Sequence, residues 1–333
     1  MYGLVTHRTA MAHMRKAPLL LSLLAALVTS AAHGAAYPDR AVKVIVPFPA
    51  GGVTDIAARL ITQRLSERLG QQFYIENISG AGGNLGMANA ARAAVDGYTV
   101  LFASSSIVVN PSLYRHIPFD AEKDFAPVTK AGASPNSWLV NNDFPAATMP
   151  ELIEAMRAQP GKLSVASPGA GTTPSLSIEM LRQSVDVHFV TVPFAGGGPL
   201  IQSLLGGFTP IACAAIANSV PLIKQGKIRA LAVTSRKRLV TLPDVPTLDE
   251  LGIKDQEAET MTGVFVPAGT SQDVVELLAK EISAIVRMPD ISSRLLEAGI
   301  IPEGSSTADF TAYIKAEIAK WKRVIERSGI DRI

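Results

Sequence analysis

Four glycine-rich turns in this sequence share one chemistry. They are Pro49-Ala50-Gly51-Gly52 running on to Thr54 and Asp55, Gly80-Ala81-Gly82-Gly83-Asn84, the stretch 167–173, and Phe194-Ala195-Gly196-Gly197-Gly198. Each joins a predicted strand to a predicted helix, and Asp55 is the one charged residue among them. Glycine lets backbone N–H groups point inward without side-chain obstruction. The helix start that follows offers unpaired donors and a partial positive charge. Each such contact with an anion contributes about 0.3–1 kcal/mol when exposed and up to ~2 kcal/mol when partly buried. Several together in a closed cleft account for much of the ~8 kcal/mol of a micromolar complex. A phosphate site would add Lys or Arg beside the glycines, and the Gly-rich lysine loop of nucleotide-binding proteins is absent. Donors without cations suit a carboxylate. Any one of these turns alone is an ordinary tight turn; four of them, two in each half, point to a shared anion site.

Enzymatic chemistry finds less support. Beyond position 36 the histidines are His116 and His188, and neither lies in a glycine-rich turn. No nucleophile elbow is present. Gly80, Gly82 and Gly86 imitate a dinucleotide fingerprint, but Leu85 occupies its last position. No loop combines two carboxylates. Asp55 is the obvious candidate acid or base, and an acid near a helix start has a plain structural role. Cys213 is the single cysteine, in an apolar stretch. It has no disulfide partner and belongs to no Cys/His cluster, so a buried, inert thiol is expected, with no metal and no cofactor.

The elements that position the turns follow from periodicity. The pattern predicts a strand over 42–47, a helix over 54–69 capped by Thr54 or Asp55, a strand over 73–76 and a helix over 85–94. A strand over 98–103 ends in Ser104-Ser105-Ser106, and Asn110-Pro111 reads as a helix start. Two strands follow, over 125–128 and 137–140. The alternation then begins again. It gives a helix over 149–159, a strand over 163–166, a helix capped by Thr173 with Pro174 behind it, and a strand over 189–193. A helix reaches Leu205, a strand lies near Ile211, and another covers 229–234. The stretch 242–258 is loop-rich, 263–267 is a strand, and 273–286, 291–297 and 309–328 are helices. Two α/β lobes result, one built from 36–137 plus 262–333, the other from 138–261. The two crossings between them form a hinge.

The first 35 residues read as a secretory signal. Arg8, Arg15 and Lys16 precede an apolar run over 18–28, and small residues end it near 34–36. The run is too short to span a bilayer, and Met14 is a plausible initiator. Losing this segment takes three of the 31 basic residues and none of the 29 acids, which turns the net charge of +2 into −1. A basic face for nucleic acid is therefore not supported. The uncharged stretch 199–223 is broken by Gly206-Gly207, Pro210, Asn218 and Pro221, so it reads as helix, strand and helix start rather than one membrane span.

Longer runs carry a resemblance. They include Tyr37-Pro38-Asp39-Arg40, then Val46-Pro47-Phe48-Pro49-Ala50-Gly51-Gly52 with Thr54-Asp55, and Glu76-Asn77 ahead of Gly80-Ala81-Gly82-Gly83-Asn84. Asp96-Gly97-Tyr98-Thr99, Asn110-Pro111-Ser112-Leu113-Tyr114 and Lys123-Asp124-Phe125-Ala126-Pro127-Val128 continue them. So do Arg229-Ala230-Leu231-Ala232-Val233-Thr234-Ser235, Pro243-Asp244-Val245-Pro246-Thr247 and Pro267-Ala268-Gly269-Thr270. In this order, over nearly the whole chain after the leader, they resemble the Bug family, periplasmic receptors of tripartite tricarboxylate transporters.

The resemblance implies a type II periplasmic-binding-protein fold, a small organic acid as ligand, membrane transporter subunits as partners, and a monomer that is not an enzyme. It implies that Pro49, Ala50, Gly51, Gly52, Thr54 and Asp55, with Gly82, Gly83 and Asn84, grip one carboxylate. It places ligand specificity at Ser104, Ser105 and Ser106, at Ser167, Gly171, Thr172, Thr173 and Ser175, and at Phe194, Ala195, Gly196 and Gly197. The second lobe departs from the family. Phe194-Ala195 stands where Tyr-Lys is common, Ser175 where many carry His, Ala214 where many carry Asp, and Met261 near a usual Trp. The ligand is then an acid with a less polar far end than citrate, aromatic or branched, or else an ordinary dicarboxylate. A ligand carrier for a sensor, and a secreted enzyme acting on an organic acid, are the alternative functions.

Overall fold

Val42–Val46 (β1) is buried along nearly its whole length, as a strand covered on both faces must be. It runs parallel to Phe73–Asn77 (β2) on one side and Thr99–Ala103 (β3) on the other. The structure is a computed structural model that describes residues 1–3, 37–328 and 330–333. The leader's apolar run, Met14 and the stretch 34–36 lie outside the described residues. Residues 40–333 form one compact unit.

Three helices connect and follow these strands: Val53–Leu69 (α1), Asn84–Ala91 (α2) after a short 3-10 turn at Ala81–Gly83, and Ser106–Leu113 (α3). Asn110-Pro111 is not a helix start. Both residues sit inside α3, which begins at Ser106 and ends two residues beyond the proline. The missing proline N–H affects only one bond of so short a helix.

The two strands expected over 125–140 are one strand, Phe125–Asn141 (β4). Pro127, Gly132 and Pro135 all lie inside it. The strand absorbs two irregularities, where its register slips between Pro127 and Thr129 and between Lys130 and Gly132. Met149–Ala158 (α4) opens with a capping box between Thr148 and Glu151. Ser164–Ser167 (β5), Thr173–Val185 (α5), Val190–Pro193 (β6), Gly197–Leu205 (α6) and Ile211–Ala215 (β7) follow. Val220–Lys224 (α7), Ile228–Val233 (β8) and Glu259–Pro267 (β9) come next. The chain closes with Gln272–Val286 (α8), Pro289–Glu297 (α9), Ile301–Pro302 (β10) and Thr307–Ser328 (α10).

The sheet order is β2-β1-β3-β9-β4-β7-β5-β6, with β8 and β10 also on β4. Two parallel groups, β2-β1-β3 and β7-β5-β6, are thus joined by antiparallel β9 and β4. The fold is a mixed α/β fold built on one ten-stranded sheet. Along β4 the partner changes at one point: Pro135 pairs with Glu259 of β9, and Asn136 pairs with Ala215 of β7. Helix α8 packs back on β4 and α1, and α10 on α3 and β4, where Phe310 and Trp321 of α10 are fully buried in one core with Phe265. A second core lies around Trp138, Met149, Leu181 and Cys213, and a third around Leu200, Leu204 and Ala212. Cys213 is fully buried, and desolvation pushes its thiol pKa upward, so it is inert as expected. Among the described residues no helix is long and apolar enough to cross a membrane.

Two polar knots occur in these cores. Lys130 reaches Glu259 at 2.6 Å and Glu303 at 2.9 Å and stands over the Tyr313 ring. Burial works against its charge, but the two carboxylates hold its pKa above the ordinary value. Asn136, fully buried at the change of partner, binds four side chains. Its amide donates to Ser177 Oγ at 2.9 Å, its carbonyl accepts from Thr173 and Thr260 at 3.3 Å each, and its backbone N–H donates to Thr234 Oγ1 at 2.9 Å. Replacing Asn136 with Ala leaves three hydroxyls without that partner. A buried polar group left unpaired costs about 1–3 kcal/mol, so Asn136→Ala is expected to lose at least that much stability in urea unfolding. A loss under about 0.5 kcal/mol, the size of an ordinary surface change, would show that the knot carries no stability.

Candidate functional site

In an open α/β sheet ligands sit at the carboxyl ends of the strands, and here five such ends meet in one cleft. The turn after β1 contributes Phe48, Pro49, Gly52, Val53, Thr54 and Asp55. The end of β3 contributes Ser104 and Ser105; the turn after β5 contributes Pro168, Thr172, Thr173 and Pro174. Gly196 and Gly197 come from the turn after β6, Ala215 ends β7, and Thr260 lies at the start of β9. The cleft holds about 560 Å³ of empty space, its mouth included.

Three of these turns lead into helices of eight residues or more whose starts differ in how their donors are met. Neither Thr54 nor Asp55 caps α1. The cap position is Gly52, which has no side chain to offer, and the first intrahelical bond is Ile56 N–H to Gly52 O at 2.9 Å. The N–H groups of Val53, Thr54 and Asp55 are left without intrahelical partners. Helix α6 is likewise uncapped, because Gly196 precedes it with φ 120°. Helix α5 is different: its cap is Thr172, one residue before the expected Thr173, and the Thr172 hydroxyl accepts the Ser175 N–H at 3.4 Å. The starts of α1 and α6 are neighbours. A Cβ on Gly196 would come within 3.4 Å of Cδ of Pro49, and one on Gly198 within 3.4 Å of the Ala50 carbonyl.

Asp55 lines the cleft but is fully occupied. Its carboxylate accepts two bonds from Arg59 at 2.9 Å, one from Gly51 N–H at 3.0 Å and one from Asn77 Nδ2 at 3.0 Å. Burial alone would raise its pKa; the bonds from Arg59, Gly51 and Asn77 outweigh burial and hold the carboxyl below its ordinary value. Asn77 also donates to the Phe48 carbonyl at 2.9 Å. Asp55 therefore fixes the turn that presents the donors, and it is a poor general acid or base.

Most cleft hydroxyls are also engaged. Ser105 Oγ donates to the Glu259 carbonyl and accepts from Met261 N–H. Ser104 Oγ bonds Ser106 Oγ at 2.9 Å. Thr173 and Thr260 bond each other at 2.9 Å above Asn136. Thr54 Oγ1 makes no bond within the described residues. Lys, Arg and His are absent from the described lining, and no described group of three His, Cys, Asp or Glu could hold a metal ion.

The cleft thus brings together ten of the expected residues: Pro49, Gly52, Thr54, Asp55, Ser104, Ser105, Thr172, Thr173, Gly196 and Gly197. The others stand outside its lining. Ala50 and Gly51 are exposed at the turn's crest. Ser106 is fully buried behind Ser104, and Ser167 Oγ accepts the Gly169 N–H. Ser175, Phe194 and Ala195 belong to lining turns but do not face the cleft.

Gly82, Gly83 and Asn84 follow β2, the edge strand, one place further out than β1. Their turn packs against the lining residue Phe48. A Cβ on Gly83 would press on the Phe48 ring at 3.2 Å, and one on Gly82 would lie 2.9 Å from the Ala170 carbonyl. Asn110 ties the region by donating to Gly82 O at 3.0 Å and Asn84 Oδ1 at 2.7 Å. Gly171 lies against the Asn110 carbonyl oxygen.

Phe48, Val53, Pro168 and Pro174 flank the expected positions and were available to the same reasoning. Ala215 and Thr260 were not, because no local pattern marks them; the sheet pairing brings them in. His116 and His188 are exposed and stand outside the cleft.

A mixed α/β fold with a donor-lined cleft that carries no cation among its described lining residues defines a solute-binding class, and comparison agrees. Residues 57–330 match the family described as tripartite tricarboxylate transporter family receptor, and the chain belongs to that family. It is similar to BugT of Bordetella pertussis, 32% identical over 295 residues that cover 88% of this chain and 90% of the relative. An adipate-bound protein of R. palustris superposes with TM-score 0.85 and 34% identity, covering 88% of this chain and 98% of its own. MatC of Rhodopseudomonas palustris, with bound malate, gives TM-score 0.81 and 33% identity over 87% of this chain and 100% of its own.

Two variants probe the site's construction. Asp55→Asn is expected to cost about 1–3 kcal/mol at pH 7. Because the folded pKa is depressed, the carboxylate's contribution is complete above the unfolded value of about 3.9 and fades as pH falls through the folded value. The deficit of Asp55→Asn against the native protein should therefore shrink in unfolding curves taken at successively lower pH below ~4. A deficit that stays constant down to full protonation would refute the ionic role. Gly171 has φ +79°, and a Cβ there would sit 2.1 Å from Asn110 Oδ1. Gly171→Ala should lower the thermal midpoint by several degrees, equivalent to about 1–3 kcal/mol; an unchanged midpoint would show that Asn110 moves freely.

Proposed function

We propose that this protein is an extracytoplasmic receptor that captures a small organic acid by its carboxylate and delivers it to a membrane transporter of the tripartite tricarboxylate class. The observation that carries the reading is the meeting of uncapped helix starts in a cleft lined by no cation. Unpaired N–H groups at a helix start favour an anion. Membership in the receptor family and the adipate and malate bound to two relatives support the same ligand class.

In this reading the protein works in the periplasm as a monomer, without a cofactor, and does no chemistry on its ligand. The one titratable residue among the described lining, Asp55, is already committed to Arg59, Gly51 and Asn77, which argues against an acid–base role. One lobe runs to Ser137 and resumes at Thr262, and the other spans 138–261. The lobes close about β4 and β9, and the ligand favours the closed form by touching both. The change of sheet partner at Asn136 supports a bend there.

A thermal-shift screen of purified, ligand-free protein against mono-, di- and tricarboxylates tests the function. Binding only to the folded state adds RT ln(1 + [L]/Kd), about 2.7 kcal/mol at a hundredfold excess over Kd. A rise of several degrees with at least one acid is expected. Folded protein that responds to no carboxylate would overturn the reading.

A further inference from the structure

We propose that the cleft has a single anion pole and so prefers acids with one carboxylate and an uncharged body over diacids of the same length; this rests on the carboxylate-receptor reading above. The free donors are concentrated at one place. The uncapped starts of α1 and α6 abut each other across Pro49 and Ala50. Thr54, on the first turn of α1, is only 3% exposed, yet it lines the cleft and its hydroxyl has no partner within the described residues. Its oxygen is not among the buried unpartnered side-chain atoms of the described residues, so it opens to the cleft and can donate to a carboxylate oxygen at the pole.

The rest of the cleft offers no second pole. At the α5 start, Pro174 has no N–H and the Ser175 N–H is taken by Thr172, which leaves the Thr173 N–H, against the three free N–H groups of α1. The hydroxyls of Ser105, Thr173 and Thr260 are bonded within the protein. Pro168 and Ala215 present only carbon side chains. With no cation among the described lining residues, a second carboxylate would lose its water and find no counter-charge. An alkyl or aryl body would instead gain from burial against these prolines and Phe48.

The test is isothermal titration of the purified protein with acids matched in carbon count: hexanoate against adipate, and butyrate against succinate. The monoacid is expected to bind about tenfold or more tightly than its diacid. A diacid that binds as tightly as its monoacid, or more so, overturns this inference and leaves the receptor reading intact. Failure of all four, together with every other carboxylate in the thermal screen, overturns both. Thr54→Val locates the pole: it should weaken the bound monoacid about tenfold with an unchanged thermal midpoint of the ligand-free protein. Unchanged affinity in that variant would show that the pole is not at the start of α1.

Discussion

The donors at the start of α1 depend on the buried carboxylate of Asp55. A glycine-rich turn is conformationally free, and donors on a free turn would lose in ordering what they gain in bonding. Asp55 removes that freedom. It holds the Gly51 N–H in front of it and Arg59 beside it, and Asn77 ties it to the end of β2 and to the Phe48 carbonyl. The β1–α1 turn, the first turns of α1 and the end of β2 are thus pinned around one group, and the α1 start is set before any ligand arrives. Arg59 is half-exposed, so water screens its charge. The several hydrogen bonds to a nearly inaccessible carboxylate are therefore the main source of order, rather than the ion pair as such.

The sheet then gathers such turns. β1 and β3 in one group, and β5 and β6 in the other, end beside the same space because antiparallel β4 and β9 join the two groups. Asn136 sits where β4 exchanges one partner strand for another, and its carbonyl receives hydroxyls from α5 and from β9. The same residue thus fixes the strand crossing and places Thr173 at the cleft. Asp55 and Asn136 do equivalent work at two ends of the site. Each is a buried polar group whose bonds are all internal, and each orders a neighbouring element that faces the ligand.

What the sequence revealed divides along this line. The β1–α1 turn was legible because its information is local: a strand, two glycines and an apolar stripe at helical spacing. The glycine turn at 80–84 carries the same signal, but its strand lies at the sheet edge, and its turn packs against Phe48 of the cleft. Local pattern cannot tell a central strand from an edge strand. The division of β4 into two strands failed for a related reason. The stretch between them, with Gly132 and Pro135, carries no strand pattern of its own, but a long sheet holds it through pairing with β9 and two register slips. Ala215 and Thr260 had no signal at all. They reach the site because Asn136 pairs with Ala215 while Pro135, beside it, pairs with Glu259.

A grip made of backbone donors also has consequences for how a receptor behaves. Lys or Arg in the cleft would attract an anion from a distance and would hold it by charge, an attraction that salt weakens. Fixed dipoles act only at contact and fall off within a helix turn. Recognition then depends on whether an oxygen fits among donors already in place, and strength depends on how much of the ligand's body is buried. On the proposed reading, the orientation of the acid is set by α1 and α6, and the choice among acids is left to Phe48, Pro168, Pro174 and Ala215. Separating these tasks lets the second change by substitution of a few side chains while the backbone that grips the carboxylate, and Asp55 behind it, stay as they are.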